Sequence, residues 1–192
     1  MRSILLLAVL VSACATSGTR QRDMTAAGHE SAAAAEAQRG PSERAAEHRA
    51  AASSLREAEA LACAGLPTSE RDNSPFLATG AVTEVVPLWP RTFSSNRTFP
   101  DRKLLGAEVA IRAERGVTAE WLQRVVNCHI ARNALGEGGS AAMRDCPLAV
   151  AGISASVRST GAGFAVEISA NEPGSGAAEE VLRRASRLAS GH

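Results

Sequence analysis

The sequence of 192 residues has few large side chains that could fill a hydrophobic core. It holds four Phe, two Trp and no Tyr, whereas 39 residues are alanine, so only about half of the 45% apolar share consists of large side chains. Core volume is therefore scarce. The uneven spread of the large apolar residues favours one folded domain plus a segment outside its core.

Neither sign of charge is in excess. The chain has 21 basic and 20 acidic residues, and Lys103 is its only lysine. A protein that binds nucleic acid draws most of its affinity from a basic excess that neutralises phosphates. The composition therefore argues against a nucleic-acid partner.

Long apolar runs are also missing. Residues 4–11 form an apolar run of eight, which spans about 12 Å as a helix, whereas a membrane-crossing helix needs ~20 residues. This run follows the positive charge of Arg2 and precedes the small residues Ser12 and Ala13, as in a secretory signal. We therefore expect residues 1–13 to be a signal peptide and the protein to be exported.

Residues 11–14, Val-Ser-Ala-Cys, resemble the lipobox of bacterial lipoproteins. The resemblance implies a diacylglyceryl thioether on Cys14, cleavage before Cys14 and acylation of the new amino group. Ala15 stands where the inner-membrane retention signal has Asp. In a host with two membranes, we expect a lipid anchor in the outer membrane with the protein on its periplasmic face.

The segment after the anchor offers almost nothing large to bury. Within residues 15–40, Met24 is the only bulky apolar side chain, so burial cannot offset the entropy of ordering the chain. We expect residues 14–41 to form a lipidated cysteine and a disordered tether.

Residues 42–66 have the pattern of an alanine-rich helix. Ser42 is a candidate N-cap, and Gly65 with Pro67 would end the helix. Leu55 and Leu61 lie about 120° apart on a helical wheel, so amphipathicity is weak. Whether this helix docks on the folded domain stays open.

The remaining residues, 67–192, contain both Trp and all four Phe and should hold the core. Alternation predicts four strands, and 3.6-residue periodicity predicts two helices, in the order ββαββα. The predicted strands cover residues 81–88, 104–113, 150–158 and 163–170, and the helices 120–135 and 175–190. This order predicts an α+β domain, a two-layer sandwich with a mainly antiparallel sheet, in a ferredoxin-like or related split arrangement.

Three cysteines remain once Cys14 is lipidated. An oxidising compartment should pair two of Cys63, Cys128 and Cys146 and leave one over. We expect Cys146 to take part, because it lies in a loop that can adjust to disulfide geometry. Its partner stays open between the other two.

The same residues allow two alternatives. Cys128, His129, Cys146 and Cys63 could bind zinc or copper(I), although no Cys-x-x-Cys pair seeds such a site. Cys128 beside His129 could also serve as a nucleophile in a thiol-dependent enzyme. His129 itself falls in the middle of an apolar helical arc, where an imidazole bonded to a backbone carbonyl inside the core is the expected arrangement.

A basic and aromatic stretch covers residues 89–103 and reads as a long loop. Such side chains could contact lipid head groups, anionic glycan or a protein partner, or the aromatics could pack back on the sheet. The candidate partner-binding residues are Trp89, Arg91, Phe93, Arg97, Phe99, Arg102 and Lys103.

The mature domain resembles an uncharacterised group of small secreted bacterial proteins at residues 63–76 and 121–129. The resemblance implies no activity. The sequence has no Walker loop, no His-Glu-x-x-His and no nucleophile elbow. We therefore expect a non-catalytic, lipid-anchored periplasmic module that binds a ligand or an envelope protein partner and needs no cofactor. Metal handling and thiol catalysis are the alternatives.

Overall fold

The computed structural model of the chain describes residues 24–76, 81–90, 103–136 and 145–190. A 3-10 turn, Pro147–Ala149, precedes the third strand. The helices are α1 (Ala26–Gln38), α2 (Glu43–Ala62), α3 (Thr68–Asp72), α4 (Ala119–Leu135) and α5 (Gly176–Ala189), and the strands are β1 (Val82–Leu88), β2 (Gly106–Arg112), β3 (Ile153–Ser159) and β4 (Gly163–Ala170). The predicted α+β class is confirmed.

The four strands form one antiparallel sheet in the order β1-β2-β4-β3. Since β2 and β3 are each antiparallel to β4 between them, they run in the same direction. The stretch containing α4 therefore joins two parallel strands with a third strand inserted, which is a split βαβ unit. A ferredoxin-like sheet contains two such units. Here β1 pairs with its sequence neighbour β2 at the edge of the sheet, so the fold has the related split arrangement and not the ferredoxin-like one.

One face of the sheet carries the core. Phe164, Val166 and Ile168 alternate along β4 and are buried beneath α4 and α5. Leu148, the largest of the fully buried side chains, comes from the 3-10 turn, which contacts both helices. The large apolar residues that the sequence concentrates after residue 67 therefore meet in this one layer.

The opposite face of the sheet is polar. Arg158 on β3 reaches across β4, with its guanidinium 2.8 Å from a Glu108 carboxylate oxygen and 3.4 Å from a Glu167 carboxylate oxygen. Serines accompany these charges on β3 and β4. Because Arg158 is half exposed, solvent screens these ion pairs and they add little to stability.

Both edges of the sheet are protected against pairing with another strand. At the β3 edge, the Gln123 side-chain amide of α4 donates to the Ala155 carbonyl at 3.1 Å and accepts from the Val157 N–H at 2.7 Å. At the other edge, β1 contains Pro87, which has no N–H to donate, and an irregular register near Glu84. Proline and bulges are common ways of blocking an edge strand.

The first helices form an antiparallel hairpin. Ala26 and Ala33 of α1 meet Ala45 and Ala52 of α2, and all four are at most 3% exposed. The predicted disorder is therefore wrong over residues 26–38. Each helix alone has too little to bury, but small side chains at a spacing of seven let two helices approach closely. The first part of the predicted tether, residues 14–23, lies outside the described residues.

Helix α2 packs on α4, on the side away from the sheet. Thr25, the N-cap of α1, lies beside Gly136 at the end of α4, where a Cβ added to Gly136 would come within 2.6 Å of the Thr25 hydroxyl. Gly136 has φ of 72°, the left-handed conformation that commonly ends a helix. The hairpin thus contacts α4 both along its length and at its C-terminal end.

Candidate functional site

The disulfide joins Cys63, at the end of α2, to Cys128 in α4. Both residues are buried, at 4% and 0% exposure, and pack with Leu66, Val125 and Trp121. The bond therefore connects the helical hairpin to the domain. The prediction that Cys146 takes part is wrong, because the docking of α2 on α4 brings the other two sulfurs together.

Cys146 is a free thiol in the core. It is fully buried, and its Sγ lies 3.1 Å from the Ser74 hydroxyl. Arg184 of α5 donates to the Cys146 carbonyl at 3.2 Å and so fixes the backbone there. Burial raises the pKa of the Cys146 thiol, with a smaller opposing effect from Ser74. A protonated, enclosed thiol is a poor nucleophile and metal ligand.

The disulfide bears on the two alternatives for the cysteines, a metal site and a Cys128 nucleophile. The sulfurs of Cys63 and Cys128 are bonded to each other, so neither is available as a thiolate. Within the described ranges, no three His, Cys, Asp or Glu side chains are placed to hold a metal ion. The four-residue zinc or copper(I) site and the Cys128 nucleophile both require sulfurs that the disulfide already uses.

His129 lies in the core, as its sequence context predicts. It is fully buried, and its Nε2 donates to the Glu70 carbonyl at 3.0 Å, which joins α4 to α3. Burial lowers the pKa of the His129 imidazole, and the bond to Glu70 acts in the opposite direction. The side chain is therefore neutral at pH 7 and holds the segment after α2 against the domain.

The predicted partner-binding loop lies largely outside the described residues. Of its seven residues, Arg91, Phe93, Arg97, Phe99 and Arg102 are not described. Trp89 is 40% exposed just after β1. Lys103 is exposed, and its aliphatic stem lies against Gly174.

A cleft of about 300 Å³ opens where β2 ends and α4 begins. Apolar side chains from both layers line part of it: Ile111 and Phe164 from the sheet, Val117 from the turn before α4, and Trp121, Leu122 and Val125 from α4. The volume is at the lower end of the range for small-molecule sites. It suits one aromatic or branched apolar group.

Trp121 is held in place at the wall of this cleft. The Thr118 hydroxyl accepts from the backbone N–H of Trp121 at 3.2 Å and caps α4. The Arg124 guanidinium lies 5.5 Å from the centre of the indole ring and donates to the Ala64 carbonyl at 2.6 Å. The indole is therefore fixed by a cation–π contact and by the first turn of its own helix.

Charged residues surround the mouth of the cleft. Glu70, Arg112 and Glu114 line it together with the apolar groups. None of the three forms an ion pair with another described residue. The mouth thus has charges of both signs above an apolar floor.

The sequence does not reveal this cleft, because its residues belong to elements far apart in the chain. A cross-strand pair such as Ile111 with Phe164 depends on the register between β2 and β4. The role of Gln123 is hidden in the same way. The alternation of β3 predicts a strand, but nothing in the sequence indicates which side chain covers its free edge.

No protein-family model matches the chain, and no match was found among curated proteins or solved structures. None of the helices in the part of the chain described here is long and apolar enough to cross a membrane.

Proposed function

We propose that this protein is a lipid-anchored periplasmic protein of the outer membrane, and that its domain is a non-catalytic binding module. The observation that carries the anchor is the Val-Ser-Ala-Cys sequence at residues 11–14 directly after an eight-residue apolar run. The disulfide between Cys63 and Cys128 supports export, because such bonds persist in oxidising compartments.

Three acyl chains on one residue are enough for stable anchoring. Burial of each methylene contributes roughly 0.8 kcal/mol, and a single chain gives only marginal, reversible membrane binding. The mature chain from Cys14 has 20 basic and 20 acidic residues, because removal of residues 1–13 takes away only Arg2 from the 21 and 20 of the full chain. Lipid, not charge, would therefore hold the protein at the membrane.

Substitution Cys14→Ser is expected to move the protein from the membrane fraction to the soluble periplasmic fraction or leave it as uncleaved precursor. Incorporation of labelled palmitate should be lost at the same time. Cys146→Ser is the matched control, since that thiol is buried in the core. Equal membrane association and labelling of the Cys14→Ser variant and the unsubstituted protein would rule out the anchor.

The cleft between β2 and α4 is the binding site we propose, and an uncharged apolar or aromatic group is its ligand. It is concave, apolar side chains from the sheet and from α4 line part of it, and Trp121 offers a ring face held by Arg124. Pockets of this composition are the usual sites for small ligands. The Glu70, Arg112 and Glu114 side chains at the mouth would contact the part of the ligand that projects out of the cleft, and would favour polar groups there.

The uncharged probe N-phenyl-1-naphthylamine tests the cleft. The variant Trp89→Phe keeps Trp121 as the only tryptophan, so energy transfer from Trp121 reports occupancy. We expect saturable binding with a dissociation constant on the order of micromolar. In this background, Val117→Phe fills the cleft and should weaken binding at least tenfold.

Val86→Phe is the matched control, because Val86 is 38% exposed on the opposite face of the sheet. It should change the affinity by less than twofold. Equal binding by the Val117→Phe and Val86→Phe variants, or binding that does not saturate, would contradict the proposed site.

A further inference from the structure

Two histidines face each other inside the α1–α2 hairpin. The Nδ1 atoms of His29 and His48 are 2.9 Å apart, and the ring centroids are 5.2 Å apart. The difference between these distances is about the width of one imidazole ring, so the two nitrogens point head-on at each other. This is the geometry of an N–H···N hydrogen bond and not of two ligands converging on a metal ion.

Such a bond requires one proton between the two Nδ1 atoms. A neutral imidazole has one N–H and one lone pair, so one ring donates and the other accepts. When both rings are protonated, each Nδ1 carries a hydrogen and no acceptor remains. The hydrogen bond is then lost, and two positive charges stand at hydrogen-bond distance.

The surroundings of His29 do not favour a charge. His29 is 5% exposed and lies in the seam between Ala26 and Ala33, where close packing leaves little space for water. Burial lowers the pKa of the His29 imidazole, and the neighbouring His48 lowers it further. Helices α1 and α2 therefore stay together best when this pair carries at most one positive charge.

Charged groups on the elements around the pair are largely matched with each other. On α1, Glu36 pairs with Arg39 at 3.1 Å, and Glu30 pairs with Arg56 of α2. On α4, Arg132 pairs with Asp72 at 2.6 Å, and His129 is bonded to the Glu70 carbonyl. The charged residues of α2 on the same side as His48 are Arg44 and Glu59.

Helix α1 has little else to hold it. It has 13 residues, and the side chains it buries are Ala26, His29 and Ala33. Helices of this length are marginal in water when isolated. A repulsion at His29 therefore acts on an element with a small stability margin, in contrast to α2, which the disulfide fixes at its end.

We propose that His29 and His48 form a pH-sensitive latch that keeps α1 folded on α2 near neutral pH and releases it in mildly acidic surroundings. If the proposed anchor on Cys14 is present, release lengthens the connection between membrane and domain. An extended chain spans roughly 3.3 Å per residue, against about 1.5 Å in a helix, so the reach of α1 would roughly double. The opening itself does not depend on the anchor.

The direction of the effect follows from proton linkage. Since the folded hairpin holds His29 below its usual pKa, the released state binds more protons, and the stability of the hairpin rises with pH. The stabilisation is complete above the ordinary imidazole pKa of about 6.5 and is lost progressively below it. Lowering the pH from 7.5 to 5.5 changes the opening equilibrium by up to roughly tenfold through His29.

Amide hydrogen exchange of the mature protein tests the latch, read in peptides of α1 at pH 7.5 and pH 5.5 after correction for intrinsic rates. Protection of α1 should fall several-fold at pH 5.5, while peptides of α4 and β4 should change much less. The substitution His48→Gln keeps a neutral hydrogen-bonding side chain and should reduce the pH dependence, because burial alone still lowers the pKa of His29. The substitution His48→Arg places a permanent charge beside His29 and should leave α1 poorly protected at both pH values.

Gln and Arg at position 48 should therefore have opposite effects on the protection of α1 at pH 5.5. Unchanged protection of α4 shows that the domain still folds in both variants. Equal protection of α1 at both pH values in the unsubstituted protein would overturn the latch, as would an unchanged pH dependence in His48→Gln. Because exchange is read at the amides of α1 themselves, its outcome does not depend on whether Cys14 carries lipid. A negative result here leaves the results for Cys14→Ser and for the cleft unaffected.

Discussion

Removal of the disulfide by the double substitution Cys63→Ala and Cys128→Ala is expected to lower the free energy of unfolding by about 4 kcal/mol. The bond joins residues 65 positions apart, and the entropy lost by the unfolded chain on closing a loop of that length accounts for a stabilisation of about 4 kcal/mol. The double substitution should also weaken the packing of α2 on α4, because the disulfide fixes the end of α2 on that helix. Leu66, Val125 and Trp121, which pack around the sulfurs, should become more accessible.

Urea denaturation followed by circular dichroism measures this change. Cys146→Ala is the matched control, since it removes a buried sulfur that closes no loop, and it should cost much less than the double substitution. Reduction of the unsubstituted protein should have an effect close to that of the double substitution. Equal stability of the oxidised protein and the double variant would contradict the assigned pairing, as would a free thiol at Cys63 or Cys128 in the oxidised protein.

Substitution Leu148→Ala is expected to destabilise the domain by roughly 3–5 kcal/mol. Leu148 is fully buried where the 3-10 turn meets α4 and α5, so truncation removes apolar contacts from three elements. The cost combines lost transfer free energy with a cavity that the surroundings cannot fill. A turn held by Pro147 and by the Arg184 bonds to neighbouring carbonyls can relax little.

Leu61→Ala provides the matched control, because Leu61 is 79% exposed near the end of α2. Its effect on the free energy of unfolding should stay within about 0.5 kcal/mol. Both values come from urea denaturation at pH 7.5. A cost below about 1 kcal/mol for Leu148→Ala would show that this part of the core is loosely packed.

The sequence predicts the domain well where apolar residues recur in a clear period. The strand at Gly163–Ala170 has the predicted bounds, and α4 ends at Gly136 as its glycine indicates. The terminal helix begins after Ser175 as predicted, and Val181 and Ala185 lie on its buried face. In each of these elements, the apolar residues that recur in the sequence are the ones that are buried in the structure.

Prediction fails where stability comes from pairing between segments. The sequence does not predict helix α1, because the alanine side chains of α1 alone bury little apolar surface. The helix becomes stable when its alanine face packs closely against the alanine face of α2. The repeat of Ala26 with Ala33 and Ala45 with Ala52 is the signal that indicates such a hairpin.

The disulfide pairing is mispredicted for a similar reason. Loop flexibility favours Cys146, whereas the docking of α2 on α4 decides the pairing. The sheet order and the cleft also depend on contacts between distant residues. The split βαβ unit requires β4 to lie between β2 and β3 in the sheet. The sequence of any single strand does not show which strands will be its neighbours.

Mass spectrometry of the native amino terminus tests lipid anchoring at Cys14. We expect the mature protein to begin at Cys14 and to carry a diacylglyceryl group on its sulfur and an acyl chain on its amino group. A mature protein that begins at another residue, or at Cys14 without lipid, would contradict it.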